Sequence, residues 1–182
     1  FDRRELECLT KNVYFEARDE PEEGQRRVAD VTLARERAHR WREFGGPTIC
    51  GVVYKTTSHT NGRKPTAQFS WTMQLSTMDQ VPKDPVKRAL AQRIAQEARD
   101  EKDHLRLERI ARITWYMNPQ TSDRSNVCWF RKTLVSVGRV GRHEFFRRPV
   151  TNVEKMALRT AWVPECKPPE KDKDVKKQRE KK

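Results

Sequence analysis

The chain has 182 residues, 35% of them hydrophobic and 36% charged, enough apolar mass for one sizeable core and hardly for two. Lys and Arg outnumber Asp and Glu by 39 to 26, a formal net charge of +13. No stretch approaches the roughly 18 consecutive apolar residues of a membrane span, so none is expected.

Charge is unevenly placed. Residues 164–182, PECKPPEKDKDVKKQREKK, carry 8 basic and 5 acidic side chains and almost nothing apolar, too little to offset the entropy of ordering them. The expected organisation is therefore a folded domain over residues 1–163 and a disordered charged tail over 164–182. The folded part retains +10 of the net charge. The chain begins at Phe1 rather than Met, as a processed or trimmed product does, so its compartment stays open. Cys8, Cys50, Cys128 and Cys166 stand far apart, with no C-x-x-C pair and no zinc-finger spacing. An even count permits two disulfides, but a chain this long does not need them and Cys166 falls in the expected tail, so most are expected to be free thiols.

In chain order, Leu6, Leu9, Val13 and Ala17 recur at steps of three and four and predict a helix over residues 4–18. Pro21 ends it, leaving Glu20 outside. A second helix is predicted at about 22–41, with Glu22 and Glu23 in its first turn and Val28, Val31, Ala34 or Arg35, Ala38 and Trp41 at helical spacing. Gly45, Gly46 and Pro47 break the pattern, and residues 48–82 read as loops with a short hairpin. Pro85 suits the first turn of a helix running to about residue 102, buried along Val86, Leu90, Ile94 and Ala98. Short helices are predicted at 105–113 and 153–161, and residues 115–146 are aromatic and turn-rich. A mainly α, or α+β, single domain follows.

Glu16 is the candidate for chemistry. A carboxylate near a helix C-terminus meets the negative end of the helix dipole, and its neighbours Tyr14 and Phe15 would strip its water, both favouring the protonated form that a general acid needs. From composition alone the commoner outcome is a solvated Glu paired with Arg18 or Lys11. His143-Glu144 begins like the zinc motif H-E-x-x-H, but position 147 is Arg, so neither a metal nor another cofactor is implied.

The run CLTKNVYFEARDEPEEGQ, Cys8 to Gln25, resembles the YxEARGE-P-x-EGQ signature of the SleB-type cell-wall hydrolases, a family of spore cortex-lytic enzymes with bacterial and phage relatives. Further blocks agree in order: Val31 to Arg35 with VxLNR, Thr48 to Tyr54 with TVCGVVY, Gln68 to Trp71 with QFSW, Trp115 to Pro119 with a YFNP-like segment, and Val140 to Phe146 with IGxHxFF. Asp19 stands where the family has Gly and Ala34 where it has Asn, and residues 72–84 follow no family pattern.

The resemblance implies a lysozyme-like fold, cleavage of the MurNAc-GlcNAc β-1,4 bond of peptidoglycan, usually as a lytic transglycosylase, and Glu16 as general acid and base. A hydrolytic muramidase is the alternative within the class. It would want a second carboxylate, for which Glu20 and Glu23 are the nearest in sequence. Substrate-binding candidates are Gln25, which can equally cap its turn; Phe69, Ser70 and Trp71, of a kind that stacks on sugars but is as often core; Tyr116 and Asn118; and His143, more simply a structural histidine. The expected partner is the peptidoglycan glycan strand. Anionic envelope polymers would be attracted by charge, placing the protein in the envelope, periplasmic or extracellular, or making it a phage lysin. A non-catalytic basic module binding envelope or nucleic acid is the competing reading, but no nucleic-acid-binding signature is visible.

Overall fold

The computed structural model describes residues 2–58 and 64–167. The first helix, α1, spans Arg3–Ala17, capped by the Asp2 carboxylate, which accepts the Arg4 amide at 2.9 Å. After a turn closed by Pro21, α2 runs from Glu22 to Arg37 with two acids in its first turn and Arg35 and Arg37 in its last, as the helix dipole favours. It stops short of the expected residue 41. His39 takes a positive φ of 51°, which no helix continues through, and Trp41 begins a separate turn, α3 (Trp41–Phe44), half-exposed rather than in the α2 face.

Residues 48–82 hold α4 (Ile49–Val53), a hairpin of β1 (Thr56–Thr57) and β2 (Thr66–Ala67), and α5 (Trp71–Gln74). The hairpin matches the sequence reading; the two short helices were not expected. Helix α6 (Pro85–Arg99) begins on Pro85, with the Asp84 carboxylate capping the Val86 and Lys87 amides. Its buried line is Ala91, Ile94, Ala95 and Ala98, while the predicted Val86 is 77% exposed, because it lies in the first turn beyond the edge of the core. A short α7 (His104–Ile110) leads to the part the sequence concealed. There β3 (Ile113–Met117), β4 (Val135–Val140) and β5 (His143–Arg147) form an antiparallel sheet in the order β3-β5-β4, with α8 (Arg124–Thr133) between β3 and β4. Register irregularities interrupt both ladders, between Ile113 and Trp115 and between Ser136 and Gly138, and β4 is largely exposed. The two-residue alternation that marks a strand in sequence is thereby lost. Helix α9 (Asn152–Thr160) is fixed at its start by a capping box of Thr151 and Glu154.

The main core lies where α1 packs on α2, α4 and α6. Leu9 and Val13 are fully buried there with Val52, Val53, Ala91, Ile94 and Phe69. A smaller cluster of Met117, Val127, Leu134 and Phe146 holds α8 to the sheet. Helix α2 packs on both α1 and β3, and the end of α1 meets the middle of β3 directly.

The cysteine expectation is overturned. Cys8 is bonded to Cys50, tying α1 to α4, and Cys128 to Cys166, tying α8 to a 3-10 turn at Pro164–Cys166. The expected tail is corrected at its start as well. Residues 164–167 are held by this bond and by Arg124, which donates to the Pro164 and Glu165 carbonyls; residues 168–182 lie outside the described residues. Sequence spacing could not pair the cysteines because the partners, 42 and 38 residues apart, meet only through helix packing.

The α1–α2 turn is latched to the β4–β5 turn. Glu20 accepts the Arg142 amide at 2.9 Å and its Nε at 2.6 Å, and Gly141 takes φ +57° directly beside it. A Cβ at Gly141 would meet the Glu20 Oε2 at 1.9 Å. Gly141→Ala is therefore expected to cost at least about 2 kcal/mol, roughly half from the left-handed backbone and half from the displaced hydrogen bonds, read as a lowered denaturant midpoint. Reducing both disulfides is expected to cost up to about 4 kcal/mol for each loop of this length. The check is the guanidinium midpoint with and without reductant; an unchanged midpoint would show the bonds to be dispensable.

Candidate active site

Glu16 sits one residue before the end of α1, half-buried. Its partner is neither Arg18, whose guanidinium stands over the Tyr14 ring at 5.1 Å, nor Lys11; the Tyr116 hydroxyl donates to its Oε2 at 2.8 Å. Tyr116 is the fourth residue of β3 and is backed by the edge of the His143 ring at 5.1 Å and by Phe145 at 5.7 Å, both from β5. Burial pushes the Glu16 carboxyl above its ordinary range, against the downward pull of the Tyr116 hydrogen bond and the nearby Arg35 charge. The Tyr116 phenol is held far above its own range by burial and by the Glu16 charge, so it stays a donor.

Polar pins inside the apolar core set this end of α1. Asn12, fully buried, accepts from the Trp71 indole at 3.0 Å and donates to the Thr32 hydroxyl at 3.0 Å, joining α1, α2 and α5. The Trp71 ring then stacks on Phe15 at 4.7 Å, 26° from parallel. These two rings, with Tyr14, Arg18, Gln74, Leu75, Asp79, Val81, Lys83 and Asp84, line an open groove of about 550 Å³. Glu16 is not in its wall; the groove begins at the adjacent Phe15. The Tyr14 ring meets Phe15 edge-on at 5.0 Å, and its hydroxyl accepts the Asp84 amide at 3.2 Å.

The remaining candidates divide. Trp71 is in the groove, although only 4% exposed. Ser70 is exposed at the start of α5, and Phe69 is core, 2% exposed. Gln25 is buried and donates to the Glu20 carbonyl at 3.1 Å, stitching its turn together. Asn118 accepts the Gln120 amide at 2.9 Å, and its carbonyl takes the amides of Thr121 and Ser122, which shapes the turn after β3. His143 is 8% exposed with its Nδ1 unpartnered; burial depresses its pKa, outweighing the upward pull of Glu20, with Arg142 adding to the depression, so the ring is neutral near pH 7.

Glu20 and Glu23, the nearest carboxylates in sequence, are committed elsewhere. Burial raises the Glu20 pKa, but its bonds to the Arg142 amide and guanidinium outweigh this and leave it lowered. Glu23 is exposed and faces Arg27. In the groove wall, Asp79 is bound to Ser76 and Lys83, and Asp84 caps α6.

Two residues that sequence reasoning left without a role adjoin the candidates, Asn12 through its bond to Trp71 and Arg35 through the Thr114 carbonyl, two positions before Tyr116. Each had a signal, a strongly polar side chain in register with an apolar helix face, Asn12 between Leu9 and Val13 and Arg35 in the Val28–Val31 line.

Comparison with known proteins adds to this geometry. The model of the cell wall hydrolase family matches residues 19–146, which begins just past Glu16 and covers Gln25, Phe69, Ser70, Trp71, Tyr116, Asn118 and His143. The solved catalytic domain of the germination-specific lytic transglycosylase SleB from Bacillus anthracis superposes with a TM-score of 0.56 at 20% identity, over 81% of this chain and 97% of that one. At that identity the likeness is one of fold, and it gives this chain the α+β lysozyme-like architecture. No curated protein sequence matches. With the family model spanning more than half of its length, the chain belongs to the cell wall hydrolase family.

Proposed function

We propose that this cell wall hydrolase cuts the glycan strand of peptidoglycan as a lytic transglycosylase at the MurNAc-GlcNAc β-1,4 bond, with Glu16 as both acid and base. The observation that carries the reading is a half-buried carboxyl with a raised pKa, hydrogen-bonded by Tyr116 and one residue from an aromatic-walled groove.

The residues account for each step. Protonated Glu16 gives its proton to the bridging oxygen as the bond to the muramic C1 breaks, and the Tyr116 hydroxyl stabilises the carboxylate left behind. That carboxylate takes the proton of the muramic C6 hydroxyl, whose oxygen closes on C1 to form the 1,6-anhydro ring. One carboxyl group serves both steps. The engagement of Glu20, Asp79 and Asp84 with Arg142, Lys83 and the α6 amides supports this over a hydrolysis that places a second free carboxylate across the sugar. Phe15 and Trp71 offer sugar-stacking surface. The net charge of +13 draws the enzyme to a polyanionic envelope, and its two disulfides suit an oxidising, extracytoplasmic place of action.

Glu16→Gln is expected to lower release of soluble fragments from purified sacculi by at least about a hundredfold. Undiminished release would remove Glu16 from the chemistry. Mass spectrometry of the wild-type products is expected to give muramic ends lighter by one water; reducing ends throughout would identify a hydrolytic muramidase.

A second expectation concerns stability. A carboxyl whose pKa is raised by folding contributes stability that is complete below its unfolded pKa and is lost as pH rises through the folded value. Glu16→Gln removes that ionisation. Its melting temperature is expected to match wild type in acid and to exceed it increasingly as pH rises through the Glu16 transition. A constant difference at all pH values would contradict the raised pKa.

A further inference from the structure

Arg35 is a charged side chain in an apolar setting. It is 4% exposed, and the carbon at the centre of its guanidinium lies 5.2 Å from the Phe69 ring, 5.5 Å from Phe44 and 5.8 Å from Trp115. Nε donates to the Thr114 carbonyl at 2.8 Å, and Nη1 is buried without a hydrogen-bond partner. Among the described residues it forms no salt bridge. The three ring faces attract a cation and offset part of the cost of burying one, but rings and a single carbonyl supply no opposite charge. An apolar side chain would fill the box and a neutral amide would serve Thr114.

The Glu16–Tyr116 pair lies within electrostatic reach of this charge. Thr114, Trp115 and Tyr116 are consecutive on β3, so the strand that anchors Arg35 also carries the tyrosine bonded to Glu16. The ionisable groups coupled to Arg35 are Tyr116 on β3, Glu16 on α1 and Glu43 on α3. Glu43 is itself bound to Arg148 at 2.6 Å and to Arg40, which among the described residues leaves Glu16 as the carboxyl without another cationic partner. Those coupled to Glu16 are Tyr116 and Arg35.

We propose that Arg35 is a positioning residue of this site, a fixed interior cation that stabilises the Glu16 carboxylate formed when the proton leaves and so keeps proton donation and recovery balanced on one group. The inference rests on the role of Glu16 given above and adds a residue to it. A carboxyl in apolar surroundings with no compensating cation holds its proton too tightly to give it up. A guanidinium suits the task because it stays charged where a buried lysine would lose its proton.

The test uses Arg35→Met, which fills the ring box without charge, and Arg35→Gln, which retains a donor for Thr114. The Glu16 side-chain carboxyl is titrated by carbon NMR in the full chain, with Glu16→Gln identifying its resonance, and activity on sacculi is followed across pH. In both variants the Glu16 midpoint is expected to rise by about one pH unit, a tenfold change in its proton affinity, and the alkaline limb of the rate profile to move by the same amount. A folded variant with an unmoved midpoint overturns the proposal, whatever its activity. So does failure of both neutral variants to fold, since the cation would then be a structural requirement. Because the titration needs no glycan cleavage, its failure is separable from that of the transglycosylase reading, which the Glu16→Gln activity and product masses decide.

Discussion

The hydrogen bond from Tyr116 to Glu16 joins the two halves of the molecule, the end of α1 in the helical half and the middle of β3 in the sheet. The geometry around it is directed at holding these two atoms in contact. On the helical side, Leu9 and Val13 bury α1 against α4 and α6, and Asn12 fixes its rotation by binding Trp71 and Thr32. On the sheet side, His143 and Phe145 brace the Tyr116 ring. A buried polar network of this kind is favourable only when its members are satisfied, which gives Asn12 a demand for specificity that an apolar residue at the same place would not meet.

Electrostatics acts on the contact from both directions. Burial favours a protonated Glu16, while the tyrosine and the Arg35 cation favour its ionised form. A group meant to give a proton and take it back needs both influences, because either alone fixes it in one state. Glu20, four residues further on, is paired by its latch to Arg142, and the same latch fixes the β4–β5 turn that carries His143 behind Tyr116. The two acids of one short motif thus stand in different settings, Glu20 in an ion pair and Glu16 on a tyrosine hydroxyl.

The helical half was legible because its information is local. Apolar residues at three- and four-residue steps, Pro21 after α1 and Pro85 at the start of α6 give those helices to within a few residues. The sheet was not, since its irregular registers and the exposed β4 erase the alternation that marks a strand. Among the candidate site residues, Tyr116 and Trp71 were placed in or beside the site, whereas Gln25 and Asn118 hold turns and Phe69 lies in the core. Motif membership does not separate these roles, because a residue that shapes a turn and one that faces a ligand occupy equally fixed places in a sequence.

By itself the sequence determined the helical frame, the basic balance and the resemblance to cell-wall hydrolases, and it offered Glu16 as a candidate; all of these follow from spacing along the chain or from residue types in order. Tertiary structure alone decided that Glu16 meets Tyr116 across 100 positions, that Arg35 turns its charge inward, and that Cys8 pairs with Cys50 and Cys128 with Cys166. Each of these depends on the protonation, desolvation or bonding of groups brought together by packing, and no periodicity records which distant neighbour a side chain will find.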